Sequence, residues 1–176
     1  MSTKETSQHK SKREQCSNCG KMAPVVRRNY RFDKMGLPVV LHHIEVVKCP
    51  ACNNIDPIIQ DLNGLMHALA LAVICHPCKL TGGAIRFLRK YVGKGSEEFS
   101  RFLHVNHTSL SKIENGHANV GDQTDKYIRL LVINMSPELK DKAESLIELL
   151  PQIQDSCSMD KQEIKIDPST MDVRYA

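Results

Sequence analysis

Apolar residues change period several times along the chain, and each change predicts an element. Residues 25–32 and 39–47 are rich in β-branched and aromatic side chains, with the turn signal Gly36-Leu37-Pro38 between them, and read as a hairpin. From residue 61 the spacing turns helical. Leu62, Leu65, Met66, Leu69, Val73 and Ile74 place one apolar stripe on a connecting helix that Pro77 must end. Residues 80–134 then read as a bundle of short helices. Thr81 caps the first, with Leu80 and Ile85 as a hydrophobic staple, and Gly93 stops it. Ser96 is expected to cap the second and Asn106 the third, which ends at Asn115-Gly116. A fourth helix runs from about residue 122 to 133 on Tyr127, Ile128, Leu131 and Val132. Ser136-Pro137-Glu138 opens an amphipathic helix to Leu150, closed by Pro151. Residues 152–176 carry no clear periodic signal.

The expected architecture is therefore α+β: a small N-terminal β-hairpin module joined by a helix to an all-α domain. Its parts are a disordered basic arm (1–15), the hairpin module (16–60), a connecting helix and linker (61–79), the helical domain (80–134), and an amphipathic helix with an acidic tail (135–176).

Composition sharpens this picture in two ways. The 176 residues are 41% hydrophobic but only 5% aromatic, with no Trp, so the core must be aliphatic. The formal charge of +4 is mild, but it is unevenly spread, with a basic front and middle and an acidic tail. That distribution fits a body that binds a polyanion. The polar first fifteen residues do not read as a signal peptide, and the uncharged stretch 62–78 is too short and too polar to span a bilayer. A cytoplasmic protein without a membrane partner is expected.

The seven cysteines then point to metal or thiol chemistry rather than a disulfide framework. Cys16-Ser-Asn-Cys19-Gly20 and Cys49-Pro-Ala-Cys52-Asn53 have the spacing at which a tight turn aims two sulfurs at one tetrahedral ion. Four thiolates leave no coordination position open for a substrate. The expected cofactor is thus a structural zinc ion held by Cys16, Cys19, Cys49 and Cys52. Cys75 and Cys78 form a third pair whose sequence leaves three readings open: redox couple, second metal site, or packing at a helix end. Cys157 has no evident partner.

The stretch 96–116 has the apolar pattern of two helices crossing closely. Phe99 and Leu103 face inward, Val105 fills the turn, Leu110 and Ile113 anchor the second helix, and Ser100 is small at the crossing. The other face of that helix is polar. His107, Thr108, Ser109 and Lys112 stand where a recognition helix meets base edges in the major groove. Ser96, Arg86, Arg89, Lys90, Lys94 and Arg101 are candidates for phosphate contacts. Paired catalytic carboxylates, a nucleophile elbow and a phosphate loop are not found, so an enzyme is not expected.

Together these residues resemble the family of regulators that joins a two-CxxC zinc ribbon to an Xre-type helix-turn-helix, which includes the MqsA-type antitoxins. The resemblance runs from about Cys16 to Ile133. It rests on the two cysteine pairs, Tyr30, Gly36-Leu37, Leu80-Thr81-Gly82, the segment from Ile85 to Lys90, Phe99, Leu103, Val105, and Ser111-Lys112-Ile113-Glu114-Asn115-Gly116. It implies a homodimer that binds a palindromic DNA operator, commonly to repress its own operon. In the antitoxin members the zinc domain also engages a toxin. Three features depart from the pattern: Asn53 replaces a glycine, His104 stands where the turn usually has glycine, and the Cys75–Cys78 pair and acidic tail are additions.

Overall fold

The alternation in residues 39–48 produces the strand on which the sheet is built. The computed structural model describes residues 12–176. In it, β2 (Met22–Arg31) and β3 (Val39–Lys48) form the expected hairpin. The buried positions on β3 switch parity from Val39 and Leu41 to Ile44 and Val46. A β-bulge causes the switch: Arg28 faces Ile44 but Tyr30 faces Leu41, so β3 carries one extra residue opposite Asn29. His43 takes the left-handed conformation there (φ 50°), and its amide donates to the Asn29 side-chain oxygen at 3.2 Å. Without the bulge, the second half of β3 would turn its apolar residues to solvent.

The other edge of β3 is covered in two pieces. β4 (Ile55–Pro57) pairs antiparallel with residues 46–48, and β7 (Ile164–Asp167) pairs parallel with residues 39–41. β8 (Asp172–Tyr175) extends the sheet beyond β7. The tail, which shows no sequence signal, thus returns to the N-terminal sheet and buries Ile164 and Ile166 in its core. At the opposite end, β1 (Arg13–Gln15) pairs with Met22–Pro24, which corrects the expectation of a disordered arm through residue 15. The rest of that expected arm, residues 1–11, lies outside the described residues.

α1 (Leu62–Ile74) starts at Asp61, whose carboxylate accepts from the Gly64 amide at 2.8 Å. It buries Leu65, Ala68, Leu69, Ala70, Ala72, Val73 and Ile74, which is more than one stripe. The expected connector is therefore a central helix, sharing one apolar cluster with β3, β7 and the helices that follow. Those are α2 (Gly82–Tyr91), α3 (Ser96–Phe102), α4 (His107–Glu114) and α5 (Asp122–Met135). Thr81 caps α2 and Asn106 caps α4, as expected. Ser96 does not cap α3; Gly95 holds that position and Ser96 is the first helical residue. The expected helix from 137 to 150 is broken into a 3-10 segment, Pro137–Lys142, and α6 (Ala143–Leu149). Glycine permits two close approaches at the start of α2. A Cβ on Gly82 would strike the Ile113 carbonyl at the end of α4, and one on Gly83 would strike the Gly36 carbonyl.

The linker between α1 and α2 is fastened by one side chain. Arg129 of α5 is fully buried. Its guanidinium donates to the carbonyls of Ile74 (2.6 Å), His76 (2.7 Å) and Cys78 (2.7 Å) and to Asp125 (2.8 Å). Asp125 in turn accepts from the Leu80 amide at 2.6 Å. The last carbonyl of α1 and two in the linker that follows are thereby satisfied by a charge that is itself paired. In β5 (Cys78–Lys79), Cys78 is disulfide-bonded to Cys157 of β6 (Gln154–Ser158). Cys78 thus pairs with Cys157 and not with Cys75, and Cys157 has a partner after all. Cys75 is a free, half-buried thiol whose pKa burial raises.

Replacing Arg129 by Met leaves Asp125 buried without its cation and three carbonyls without donors. We expect a loss of about 3–5 kcal/mol, read from urea unfolding; a loss below about 1 kcal/mol would contradict this account. A second expectation concerns His76, which is fully buried beside the Tyr175 ring, its Nδ1 accepting from the Cys78 amide. Burial and then the Arg129 charge depress its pKa to about 4. The folded state resists protonation while the unfolded chain accepts it near its ordinary value. His76 therefore contributes stability above about pH 6.5, and that contribution is lost as pH falls toward about 4. The expected loss is on the order of 3 kcal/mol, and His76→Phe should flatten that part of the pH profile.

Candidate metal centre and helical surface

Each cysteine pair sits on a turn whose backbone folds back on itself. The Gly20 amide donates to the Cys16 carbonyl at 2.9 Å, and the Cys49 amide donates to the Asn54 carbonyl at 2.9 Å. Gly20 (φ 72°) and Asn53 (φ 57°) take the left-handed conformation that such a turn needs, so Asn53 does the work of the missing glycine. Pairing of β2 with β3 then brings the two turns together. The Sγ atoms of Cys16, Cys19, Cys49 and Cys52 all lie within 4.8 Å of one another. Cys16 approaches Cys52 at 3.6 Å and Cys19 approaches Cys49 at 3.5 Å. A tetrahedral ion with sulfur ligands about 2.3 Å away spans edges of about 3.8 Å, so the cluster has the size of a metal site.

The sulfurs are not equivalent. The Lys21 amide favours a thiolate at Cys19, but Cys49 beside it, burial and the other two sulfurs outweigh that and push this thiol up to about 11. Burial pushes the Cys49 thiol up, but the backbone amides of Ala51 and Cys52, with Cys19, outweigh it and bring its pKa below the ordinary value. Asn54 directs its amide nitrogen at the Cys16 sulfur from 3.9 Å. Asp56 accepts from the Ser17 amide (3.2 Å) and hydroxyl (2.8 Å), tying the first turn to β4. Cys16 and Cys49 are buried with only Ala23 and Val47 as fully buried companions. In so small a core, a bound ion would supply much of the energy that holds the two turns together. Sequence spacing predicted that these four cysteines cluster, and they do; Ser17, Asn54 and Asp56 carried no signal of their own.

The second constellation is built on α3 and α4. Phe99, Ser100, Leu103 and Leu110 are buried, with Val105 and Ile113 packed against the same core. The bend between the helices is made at His104 (φ 51°), where the turn calls for a left-handed residue. Glu114, buried at the end of α4, receives Arg89 of α2 through two hydrogen bonds of 2.7 and 2.9 Å. Arg89 also donates to the Lys94 carbonyl at 2.9 Å. This corrects the expectation that Arg89 faces phosphate: it is buried, and its hydrogen bonds go to Glu114 of α4 and to the turn before α3. Arg86 donates to the Glu114 carbonyl (2.8 Å) and the Asn115 side chain (2.6 Å) but stays partly exposed. Lys94 pairs with Glu98 at 2.7 Å. Lys90 and Arg101 are exposed and Ser96 is half-buried.

With its inner face so held, α4 turns His107, Thr108, Ser109 and Lys112 to solvent. Thr108, Ser109 and Lys112 share one face of this eight-residue helix, with His107 at its first position, and packing sets the orientation of that face. The role of Glu114 as the carboxylate that receives Arg89 was not readable from its place in the motif. No helix among the described residues is long and apolar enough to cross a membrane.

Compared with protein-family models, with curated protein sequences and with solved structures, the chain matches none.

The cysteine cluster generates a direct expectation. Cys49→Ser should reduce tightly bound metal from about one equivalent per chain to near zero, read by elemental analysis of dialysed protein. Amides of β1 and of residues 22–25 should lose hydrogen-exchange protection, while those of α5 keep theirs. Full metal content in the variant would refute the assignment.

Proposed function

We propose that this chain is a sequence-specific, DNA-binding transcriptional regulator of the cytoplasm, acting as a repressor of its own operon and stiffened by a structural zinc ion. The observation that carries this reading is the exposed polar face of α4, backed by the buried Arg89–Glu114 clamp and the Phe99–Leu110 core. On this reading α3, the bend at His104 and α4 form a helix-turn-helix. A reading helix must meet the major groove at a fixed depth and angle, and a clamp of this kind supplies both.

His107, Thr108 and Ser109 at the start of α4, with Lys112 one turn on, are assigned to base edges. Lys112 donates to guanine, and the hydroxyls of Thr108 and Ser109 either donate or accept. Ser96, Arg86, Lys90, Lys94 and Arg101 are assigned to phosphates; Arg89 is withdrawn from that set. Four sulfur ligands at two-residue spacing favour zinc among the common divalent ions. An all-thiolate shell leaves no position for substrate, so the ion is structural and no catalysis is assigned to it. A homodimer on a palindromic operator completes the reading, since a single short helix recognises too few bases alone.

A second reading treats the N-terminal module as a surface for a partner protein such as a cognate toxin. It is favoured by Met22 and Val26, exposed apolar side chains two positions apart from Pro24 on one face of β2.

The deciding experiment is fluorescence anisotropy of the zinc-loaded protein on its own upstream DNA, beside a scrambled duplex, across a salt series. Specific binding that weakens steeply with salt is expected. Lys112→Ala should weaken operator binding about tenfold, with thermal stability unchanged because its side chain is exposed. Equal, weak binding to both duplexes, or an unaltered Lys112→Ala affinity, would overturn the reading.

A further inference from the structure

One covalent bond in this chain contrasts with its other cysteine chemistry. Cys16, Cys19, Cys49 and Cys52 must remain thiolates to hold an ion, and Cys75 is a free thiol. Cys78 and Cys157, 79 residues apart in sequence, are joined as a disulfide. A compartment reducing enough to preserve free thiolates is one in which an ordinary disulfide is transient. The bond is therefore placed where opening and closing can matter.

Its surroundings say what it fastens. Apart from the disulfide, β6 meets β5 through Cys78 opposite Gln154 and Lys79 opposite Ser158, with an irregularity between them, and the Gln154 amide donates to the Pro77 carbonyl at 2.8 Å. So short a ladder is marginal by itself. The residues that follow, Ser158, Asp160 and Lys161, form one wall of a cavity of about 410 Å³. The facing wall includes Gly82 at the start of α2 and Ile113 and Gly116 at the end of α4. The far side of the tail is anchored separately, through fully buried Met159, Ile164 and Ile166. Opening the bond can thus free residues 154–158 without dismantling the sheet.

We propose that Cys78–Cys157 is a thiol-exchange site for a glutathione-type thiol, a reversible clasp that seats the segment 154–158 beside the end of α4. Cys78 has no exposed surface, whereas Cys157 is only half-buried, so the attack falls on Cys157. A thiolate adds to the Cys157 sulfur, the S–S bond breaks, and the Cys78 sulfur leaves with the electron pair and takes up a proton. A second thiolate then attacks the mixed disulfide and releases the small-molecule disulfide, leaving Cys157 as a thiol. Two electrons enter the protein and two small thiols are oxidised to one disulfide; the reverse exchange closes the clasp. Cys75, kept protonated by burial, is a poor competitor. The proposal does not depend on whether α4 reads DNA.

The test uses the full, metal-loaded chain in millimolar mixtures of glutathione and its disulfide. Thiols are trapped with N-ethylmaleimide and located by mass spectrometry, and hydrogen exchange is followed in parallel. Cys78 should become modifiable first, with Cys157 carried as its glutathione adduct, and both should be modifiable once two electrons have entered. Amides of residues 154–158 should exchange about tenfold faster or more in the reduced form and in Cys157→Ser, while residues 39–47 and 164–166 keep their protection and the metal stays bound. Cys75→Ser should leave both the exchange reaction and the protection pattern unchanged. The proposal is overturned if the bond persists in excess glutathione, if residues 154–158 are equally protected in both forms, or if reduction unfolds the whole chain.

Discussion

The buried guanidinium of Arg129 is the contact on which the rest of the arrangement depends. It reaches from α5 to three carbonyls within residues 74–78, from the last residue of α1 to the first of β5. A buried charge of this kind is tolerable only when it is paired and fully hydrogen-bonded, and Asp125 one helical turn away meets that condition. Asp125 then holds the Leu80 amide, which fixes where the chain turns into α2. From there the order is transmitted by contact. α2 starts against the Ile113 carbonyl because Gly82 has no side chain, and α2 sends Arg89 to Glu114 to set the tilt of α4. The exposed face of α4 is thus the last link of a chain of polar contacts that begins in the linker.

Two electrostatic devices with opposite dependence on water operate in the molecule. Arg129–Asp125 and Arg89–Glu114 are almost fully withdrawn from solvent, with side-chain exposures of 0% and 1% in the first pair and 11% and 5% in the second. Pairs so shielded keep their geometry as salt rises. The exposed cations Lys90, Arg101 and Lys112 are screened by the same salt. The DNA-binding role proposed above would use this division, since ionic strength could then tune the encounter without loosening α4.

Much of this was legible in the chain, for identifiable reasons. Two-residue spacing between cysteines is local geometry, so Cys16, Cys19, Cys49 and Cys52 announced their cluster. Caps are local too, and Thr81 and Asn106 stand where they were expected. The same holds for the backbone strain at His104 and Asn53, which follows from turns that ask for glycine. What was hidden depends on partners remote in sequence. β7 contains only Ile164 and Ile166 as buried apolar residues, too brief a pattern to signal a strand before β3 is known to offer it an edge. Arg89 and Arg86 look alike on a helical wheel, and only the position of Glu114, 25 residues from Arg89, separates a buried clamp from a surface cation. Cys78 appeared to belong with Cys75 because proximity in sequence is the only proximity a sequence displays; the fold places Cys157 there instead.

The returning tail changes how the two halves must be understood. A ribbon joined to a helical bundle by one helix would let each half move independently. Here β7 lies against β3 while β6, ten residues earlier in the chain, lies against the linker before α2. The tail therefore bridges the two halves on a second route, and α1, buried on most of its surface, forms the first. Two connections are harder to bend than one, so loosening either route gives the sheet and the helices a freedom that the closed form lacks. The route through α1 is made of tightly packed aliphatic side chains and cannot be opened without loss of the core. The route through the tail is held beside the linker by a short ladder and one sulfur–sulfur bond, which makes it the place where covalent chemistry can act on the fold without destroying it.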